Sequence, residues 1–408
     1  MYQLDITNCN GLTTLFAHMP DANSTTVQLF AKAGNIYETR KTNGLSHFLE
    51  HMFFKGGLKY KTPEDVAATV DSFGGMMNAF TGDEYAGYYI KCAPQYTTQA
   101  LDVLADMMIH PKFPIDEMER EKGVVIQEIM MIEDDPMSLV MDKFRGFYYG
   151  DNSFGRSILG PVDNIKSFTQ DDLFAHKDSL YTQDNMILVV AGAISNQAEL
   201  QNLIGDLFAK LPTHKNIATP ALSDYSPTQS SYFTDKGTNQ IHMVRGTSGY
   251  DMFQEERFGA KLLSVILGGN MSSRLFQNIR EKQGLCYYIS GSHSQGEMDG
   301  LFMMRAGIEK ERFDFGREAI MQEIDKIVGG DINQTELDKA IGYMTGKTQM
   351  GIESSDELAD FVGMQYLFKK EVKTLEDLLQ GYKKTSLTDI HRIASKLSRD
   401  TRKLYYIK

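Results

Sequence analysis

One repeated order of elements restricts the fold more than any single segment does. "GLSHFLEHMFFKGG" (44–57) and "ERFGAKLLSVILGG" (256–269) each read as an apolar helix running into a glycine pair. Glycine ends helices because it takes the left-handed conformation without strain. Strand-like text precedes each, "TTVQLFAKAG" and "NQIHMVRGTSGY", and a hairpin-like run follows each, "MMNAFTGDEYAGYYIKCA" and "LCYYISGSHSQGEMDGLFMMRAG". A period of about 200 residues is too long for a solenoid and fits a duplicated α+β domain. Between the copies, "PTHKNIATPALSDYSPT" (212–228) is polar, holds three prolines and lacks periodicity, as a linker does. The expected division is therefore 1–211, then 229–408.

Within the first half, a helix is expected from about residue 43 to 54, and a second from Thr62, where "TPEDVAATVDSFGG" opens with Thr-Pro. "IDEMEREKGVVIQEIMMIEDDP" is a third, with Pro136 as its stop. "NMILVVAGAIS" reads as a buried strand, and "NQAELQNLIGDLFAKL" as the helix after it.

Composition excludes several classes. A formal net charge of −12 at pH 7 argues against general nucleic-acid binding, which needs a positive surface. No run approaches the ~18 apolar residues of a membrane span. The start, "MYQLDITNCNGLTTLF", has neither a basic-then-apolar leader nor the Arg/Ser bias of a transit sequence. Three scattered cysteines, Cys9, Cys92 and Cys286, offer no paired metal motif and fit a reducing compartment. The expected location is cytoplasmic.

The chemistry concentrates in the first of the two repeated helices. His47 and His51 are four apart, so in a helix they share a face and can share one ion. Glu50 lies beside the second and one turn from the first, within reach of a water on that ion. The second copy has Lys261, Leu262 and Leu263 in the corresponding stretch, so one copy alone can carry the metal. A hydrolytic zinc takes three protein ligands and leaves a position open. The third would come from "EREKGVVIQEIMMIEDDP", where Glu119, Glu121 and Glu128 compete. One of these carboxylates can bind the metal while another accepts the second N–H of a ligating histidine.

HxxEH on a helix is the reversed zinc-peptidase motif of the inverzincins. The text around it resembles the pitrilysin/insulysin family, in its mitochondrial processing peptidase-like and short-chain branch, over the whole chain. The resemblance implies a third ligand separated from His51 by 76 residues, which is Glu128. It gives Glu121 the role of holding a ligating histidine. "GGMMNAFTGDEYAGYY" resembles the family's edge strand, so Asn78 and Ala79 are expected to bind substrate backbone by strand addition. "SSRLFQNIREKQGLCYYISG" resembles the second-domain signature, which implies that Arg280 holds a substrate carbonyl and Tyr287 helps stabilise the oxyanion. Ala86 departs from the threonine many members carry, which bears on substrate preference.

By this resemblance the chain is a zinc endopeptidase with one zinc ion, cutting peptides or unfolded segments with Glu50 as general base. The implied domains are each a mostly antiparallel sheet with helices on one face. Two domains form half of the enclosed chamber of longer relatives. A homodimer would complete it, or a heterodimer with a metal-less homologue. A non-catalytic subunit of the same fold is the competing reading, but such subunits commonly lose ligands, and all are present in this sequence.

Overall fold

The computed structural model describes residues 2–213, 217–222 and 226–408. Part of the expected linker, 214–216 and 223–225, lies outside the described residues. The described chain forms two compact units, each an α+β layer structure around its own sheet.

The first sheet has six strands: β1 (Gln3–Cys9), β2 (Leu12–His18), β3 (Thr25–Ala31), β4 (Met76–Thr81), β5 (Ala86–Cys92) and β6 (Met186–Gly192), in the order β1-β2-β6-β3-β5-β4. Only β2 and β6 run parallel; the other pairs are antiparallel. The second has β7 (Ser231–Thr234), β8 (Gln240–Ser248), β9 (Cys286–Gln295), β10 (Gly300–Glu309) and β11 (Lys403–Ile407), in the order β7-β11-β8-β10-β9. Here too one pair, β7 with β11, is parallel. Laying β8 on β3 aligns the rest, with β11 on β6, β10 on β5 and β9 on β4. The expected duplication is present, and β1 is the strand the second sheet lacks.

β3 explains how the first unit is layered. All seven residues of "TTVQLFA" are buried, which requires cover on both faces. Val27, Leu29 and Ala31 join the core formed with the Leu45–Phe53 and Thr97–Ile109 helices. Thr26 and Gln28 face the other way, onto the Ser355–Lys369 helix. There Thr26 Oγ1 lies 2.8 Å from Ser355 Oγ, and Gln28 Nε2 donates to Asp360 Oδ1 at 2.8 Å. Helices on one face are as expected; the second face carries a helix from far along the chain.

The second unit mirrors this arrangement. The Arg257–Gly268 helix lies against β9. The Pro136–Tyr149 helix covers β8 and β11, with Phe144 at Gly246 and Phe147 beside the rings of Tyr232 and Tyr405. Each unit thus takes one helix from the other half of the sequence. The first comprises 1–129, 156–220 and 351–372, and the second 130–155, 221–350 and 373–408. Two segments therefore cross the contiguous division expected at 212–228. The crossing helices supply the second layer that a sheet buried on both faces needs.

Pro136 acts locally as expected and does one thing more. The long helix Ile115–Asp134 ends before it, and Pro136 then opens the next helix. Asp135 caps that helix by accepting from Met137 N and Ser138 N. A proline is well placed at the first helical position, where its missing N–H has no helical partner to lose. Among the described residues, no helix is long and apolar enough to cross a membrane.

Candidate metal centre

The first repeated helix, Leu45–Phe53, buries Leu45, Phe48, Leu49, Met52 and Phe53 at 0–1% exposure. Apolar anchoring on those faces leaves one polar stripe for His47, Glu50 and His51. The helix entry is built for placement. Gly44 takes φ 97°, and a side chain there would also collide with the Leu159 carbonyl. The buried carboxylate of Glu38 accepts from Gly44 N (2.8 Å), Ser46 N (2.6 Å) and Asn43 Nδ2 (3.0 Å). It satisfies amides that a helix start leaves open, and it lies at the positive end of the dipole.

The two imidazoles meet as the four-residue spacing requires, with His47 Nε2 and His51 Nε2 3.3 Å apart. Glu128, on the Ile115–Asp134 helix, brings Oε2 to 3.6 Å from the first and 3.7 Å from the second. Ligand atoms at about 2.0–2.1 Å on a tetrahedral zinc stand about 3.3–3.4 Å apart. The three atoms therefore form nearly one face of such a tetrahedron. Two imidazoles and a carboxylate are also a donor set of catalytic zinc. These residues fit the metal.

The surrounding charges prepare the donors. Burial, with the adjoining His51, pushes His47 down to about 3, so its lone pair is available. Burial also pulls on His51, but the hydrogen bond and charge of Glu121 outweigh it, and its pKa is raised. Glu121 Oε1 accepts from His51 Nδ1 at 2.8 Å, which directs the Nε2 lone pair toward His47 and Glu128. Its other oxygen takes Lys55 Nζ at 2.5 Å. Burial would raise the Glu121 carboxyl, but these partners hold it below its ordinary value, so it stays an acceptor.

Glu50 sits next to the donors rather than among them. Its Oε2 accepts from Thr81 Oγ1 on β4 at 2.5 Å. Burial raises its pKa, against the opposing pull of Thr81 and His51, and a more basic carboxylate is a better proton acceptor.

The acidic helix sorts its three candidates by position. Glu128 joins the histidines, Glu121 lies behind them, and Glu119 is bound to Lys122 at 2.8 Å. Asn78 and Ala79 lie on β4, which among the described residues pairs with β5 alone and leaves its outer edge open. The Asn78 side-chain carbonyl accepts from Ala79 N at 2.9 Å.

Sequence reasoning passed over Glu38, Lys55 and Thr81. Lys55 had a signal, since it is four residues past His51 on the same face. Thr81 lay inside the quoted edge-strand segment, but its partner Glu50 is 31 residues away. Nothing local marks Glu38, whose role depends on the chain returning beneath the helix.

A model of the insulinase family (peptidase family M16) matches residues 13–162, and one described as the M16 inactive domain matches 167–344. An uncharacterized zinc protease of Bacillus subtilis is 32% identical over 95% of this chain and 94% of its own length. The chain belongs to the insulinase family. Another relative, an uncharacterized zinc protease of Streptomyces coelicolor, is 30% identical over 94% of this chain and 84% of its own. A protease structure from Helicobacter pylori superposes with a TM-score of 0.92 at 22% identity, covering 100% of both chains. A Pseudomonas fluorescens structure titled as a peptidase M16 inactive domain gives 0.91 at 18%, covering 99% of this chain and 97% of its own. At these identities the structures speak for the fold. Zinc-protease relatives and a His-His-Glu donor set together point to zinc as the metal.

The insulinase-family inactive-domain match includes Arg280 and Tyr287. Arg280 stands on a π-helical turn, Phe276–Glu281, with its guanidinium 4.5 Å from the Phe276 ring centre and 5.9 Å from that of Tyr287. Tyr287 is 78% exposed at the start of β9. The two therefore lie together on the second unit.

Proposed function

We propose that this insulinase-family chain is a zinc-dependent endopeptidase that hydrolyses peptides and unfolded segments. The observation that carries the reading is the near-tetrahedral face made by His47 Nε2, His51 Nε2 and Glu128 Oε2, with Glu50 beside it. One zinc ion held there would supply Lewis acidity and bring the pKa of the attacking water toward neutrality. Glu50 takes the proton of that water as it attacks the peptide carbonyl, then delivers it to the leaving amine. Thr81 fixes the carboxylate rotamer for both transfers. Glu121 and Lys55 hold His51 in the tautomer that offers Nε2.

A substrate strand adds to the open edge of β4, where Ala79 N–H exchanges the Asn78 carbonyl for a peptide carbonyl. Arg280 and Tyr287 serve as substrate-binding groups, the first for a carbonyl and the second for the developing oxyanion. The working assembly is a homodimer, which light scattering on the eluted protein checks.

The deciding experiment pairs two variants in a fluorogenic-peptide assay with metal analysis. Glu50→Gln keeps its zinc and loses about 10²–10⁴-fold in kcat. His51→Ala loses the zinc itself. A fully active Glu50→Gln protein would overturn the assignment of the base. A zinc-replete His51→Ala protein would overturn that of the ligand.

A further inference from the structure

A second concentration of charge lies in the second unit, and the proposed peptidase chemistry does not use it. In the sheet register, Arg245 on β8 stands between Met304 on β10 and Leu404 on β11, both core residues. Its side chain therefore enters the layer under the Phe313–Val328 helix, which contributes Ile320 and Ile324 to the same core. Arg402, just before β11, has a side chain with no exposed surface and donates from Nη2 to Asp325 Oδ1 at 2.6 Å. Arg399 takes the other Asp325 oxygen at 2.5 Å and reaches Glu318 at 3.2 Å. Arg317 pairs with Asp314 at 3.2 Å, and that aspartate is almost wholly in solvent.

The charges do not balance. Arg245 makes no hydrogen bond or ion pair among the described residues, and its Nε is fully buried. Arg402 Nη1 is buried without an acceptor as well. Among the described residues, Asp325, already shared between Arg399 and Arg402, is the one carboxylate whose charge acts on Arg245. Burial, with Arg402, Arg317 and Arg399 nearby, pushes Arg245 down to about 10, so it is still charged at neutral pH. A buried water can satisfy an N–H, but it cannot neutralise a guanidinium. Arginine forks match oxyanions in geometry as well as charge. Arg317 and Arg399 are 39% and 52% exposed, which gives an anion a way in.

We propose that Arg245, Arg317, Arg399 and Arg402 form a binding site for a small oxyanion, a phosphate group or a free carboxylate, and that the anion supplies the counter-charge Arg245 lacks. The site belongs to the second unit and shares no residue with the metal centre, so its test is separate from that of the peptidase reading.

The test uses the full chain and two variants, Arg245→Met and Arg317→Gln. Thermal melts are run in chloride, inorganic phosphate and succinate at matched pH and ionic strength, with equilibrium dialysis of labelled phosphate alongside. The expected result is a saturable rise in melting temperature with phosphate, with succinate, or with both, above the chloride control. Which anion gives the rise distinguishes phosphate from carboxylate. Arg245→Met abolishes the rise. Arg317→Gln, a change at the accessible rim that leaves the core intact, weakens the affinity about tenfold. This second variant keeps the test decisive should the first fail to fold. It also separates the site from phosphate binding at the metal, which it would not alter. A rise no greater than in chloride overturns the proposal, and so does an equal rise and equal affinity in Arg317→Gln.

Discussion

The Leu45–Phe53 and Arg257–Gly268 helices hold the same place in two sheets of matching strand order. Each follows the central strand, β3 or β8, and precedes the edge hairpin. The first keeps a polar stripe and draws in Glu38, Thr81 and the Glu121–Glu128 pair from three other parts of the chain. The second has Leu262 and Leu263 where the first has Glu50 and His51, and these two join Val265 and Ile266 in the core. The architecture tolerates either, because both helices are held by the same kind of apolar contact. The match of residues 167–344 to a domain described as inactive agrees with that division.

The largest expected effect separates packing from chemistry. Phe48→Ala and Leu263→Ala each empty a fully buried site, at a cost of about 3–5 and 2–5 kcal/mol respectively. Denaturant unfolding measures both. Chelator competition on the folded fraction then tells them apart. Phe48→Ala should weaken zinc binding because the ligands ride on that helix, and Leu263→Ala should leave it unchanged. Equal weakening by both would mean the two helices are not independent in the way their contacts suggest.

In one respect the units are alike, since each holds a neutral buried histidine. His176 Nε2 lies 2.9 Å from Ser46 Oγ, and His293 Nε2 accepts from Tyr250 N at 3.1 Å. Burial pushes both down to about 4, with Lys261 and Lys396 adding to the effect at His293. The folded pKa lies below the unfolded one, so the unfolded state binds the proton first. Stability from each is complete above the ordinary histidine value near 6.5 and is lost as pH falls toward 4. The loss is up to about 3 kcal/mol per histidine. His293→Gln should flatten part of the acid limb of a stability–pH curve and leave the His176 share. An unchanged limb would contradict the assignment.

What could be read in advance followed from periodicity. His47, Glu50 and His51 are legible because a helix turns spacing into a shared face, and the glycine pairs mark both helix ends without any knowledge of contacts. Glu128 was one of three candidates until a family spacing selected it, since nothing in a single helix says which carboxylate faces another element. β1 is not marked in the sequence, because "QLDITNC" is mostly solvent-facing and shows little buried alternation. The crossing helices were illegible for a different reason. Pro136–Tyr149 looks like an ordinary amphipathic segment, Ser355–Lys369 spreads its apolar residues around the helix, and neither carries a mark of which sheet it will cover.

The smallest expected effect concerns the gap between each helix and its edge strand. In the second unit that gap is closed at Gly268 and Gly291, where the backbones approach so nearly that a Cβ on Gly268 would collide with Gly291. In the first, β4 stands off far enough to hold the Glu50 carboxylate and the Thr81 hydroxyl between helix and strand. If the gap exists for that pair, Thr81→Ala should lower kcat about tenfold, the worth of one hydrogen bond to a charged group. KM and zinc content should hardly change, because the Thr81 hydroxyl touches none of the donors and is engaged by Glu50, while the backbone of β4 is left as it was. Thr81→Ser keeps the hydroxyl and should restore most of the rate. A purely structural threonine would instead lower stability in both variants through the lost methyl, with no split between kcat and KM. Rescue by serine therefore decides whether the wider gap is functional or a by-product of a bulkier strand.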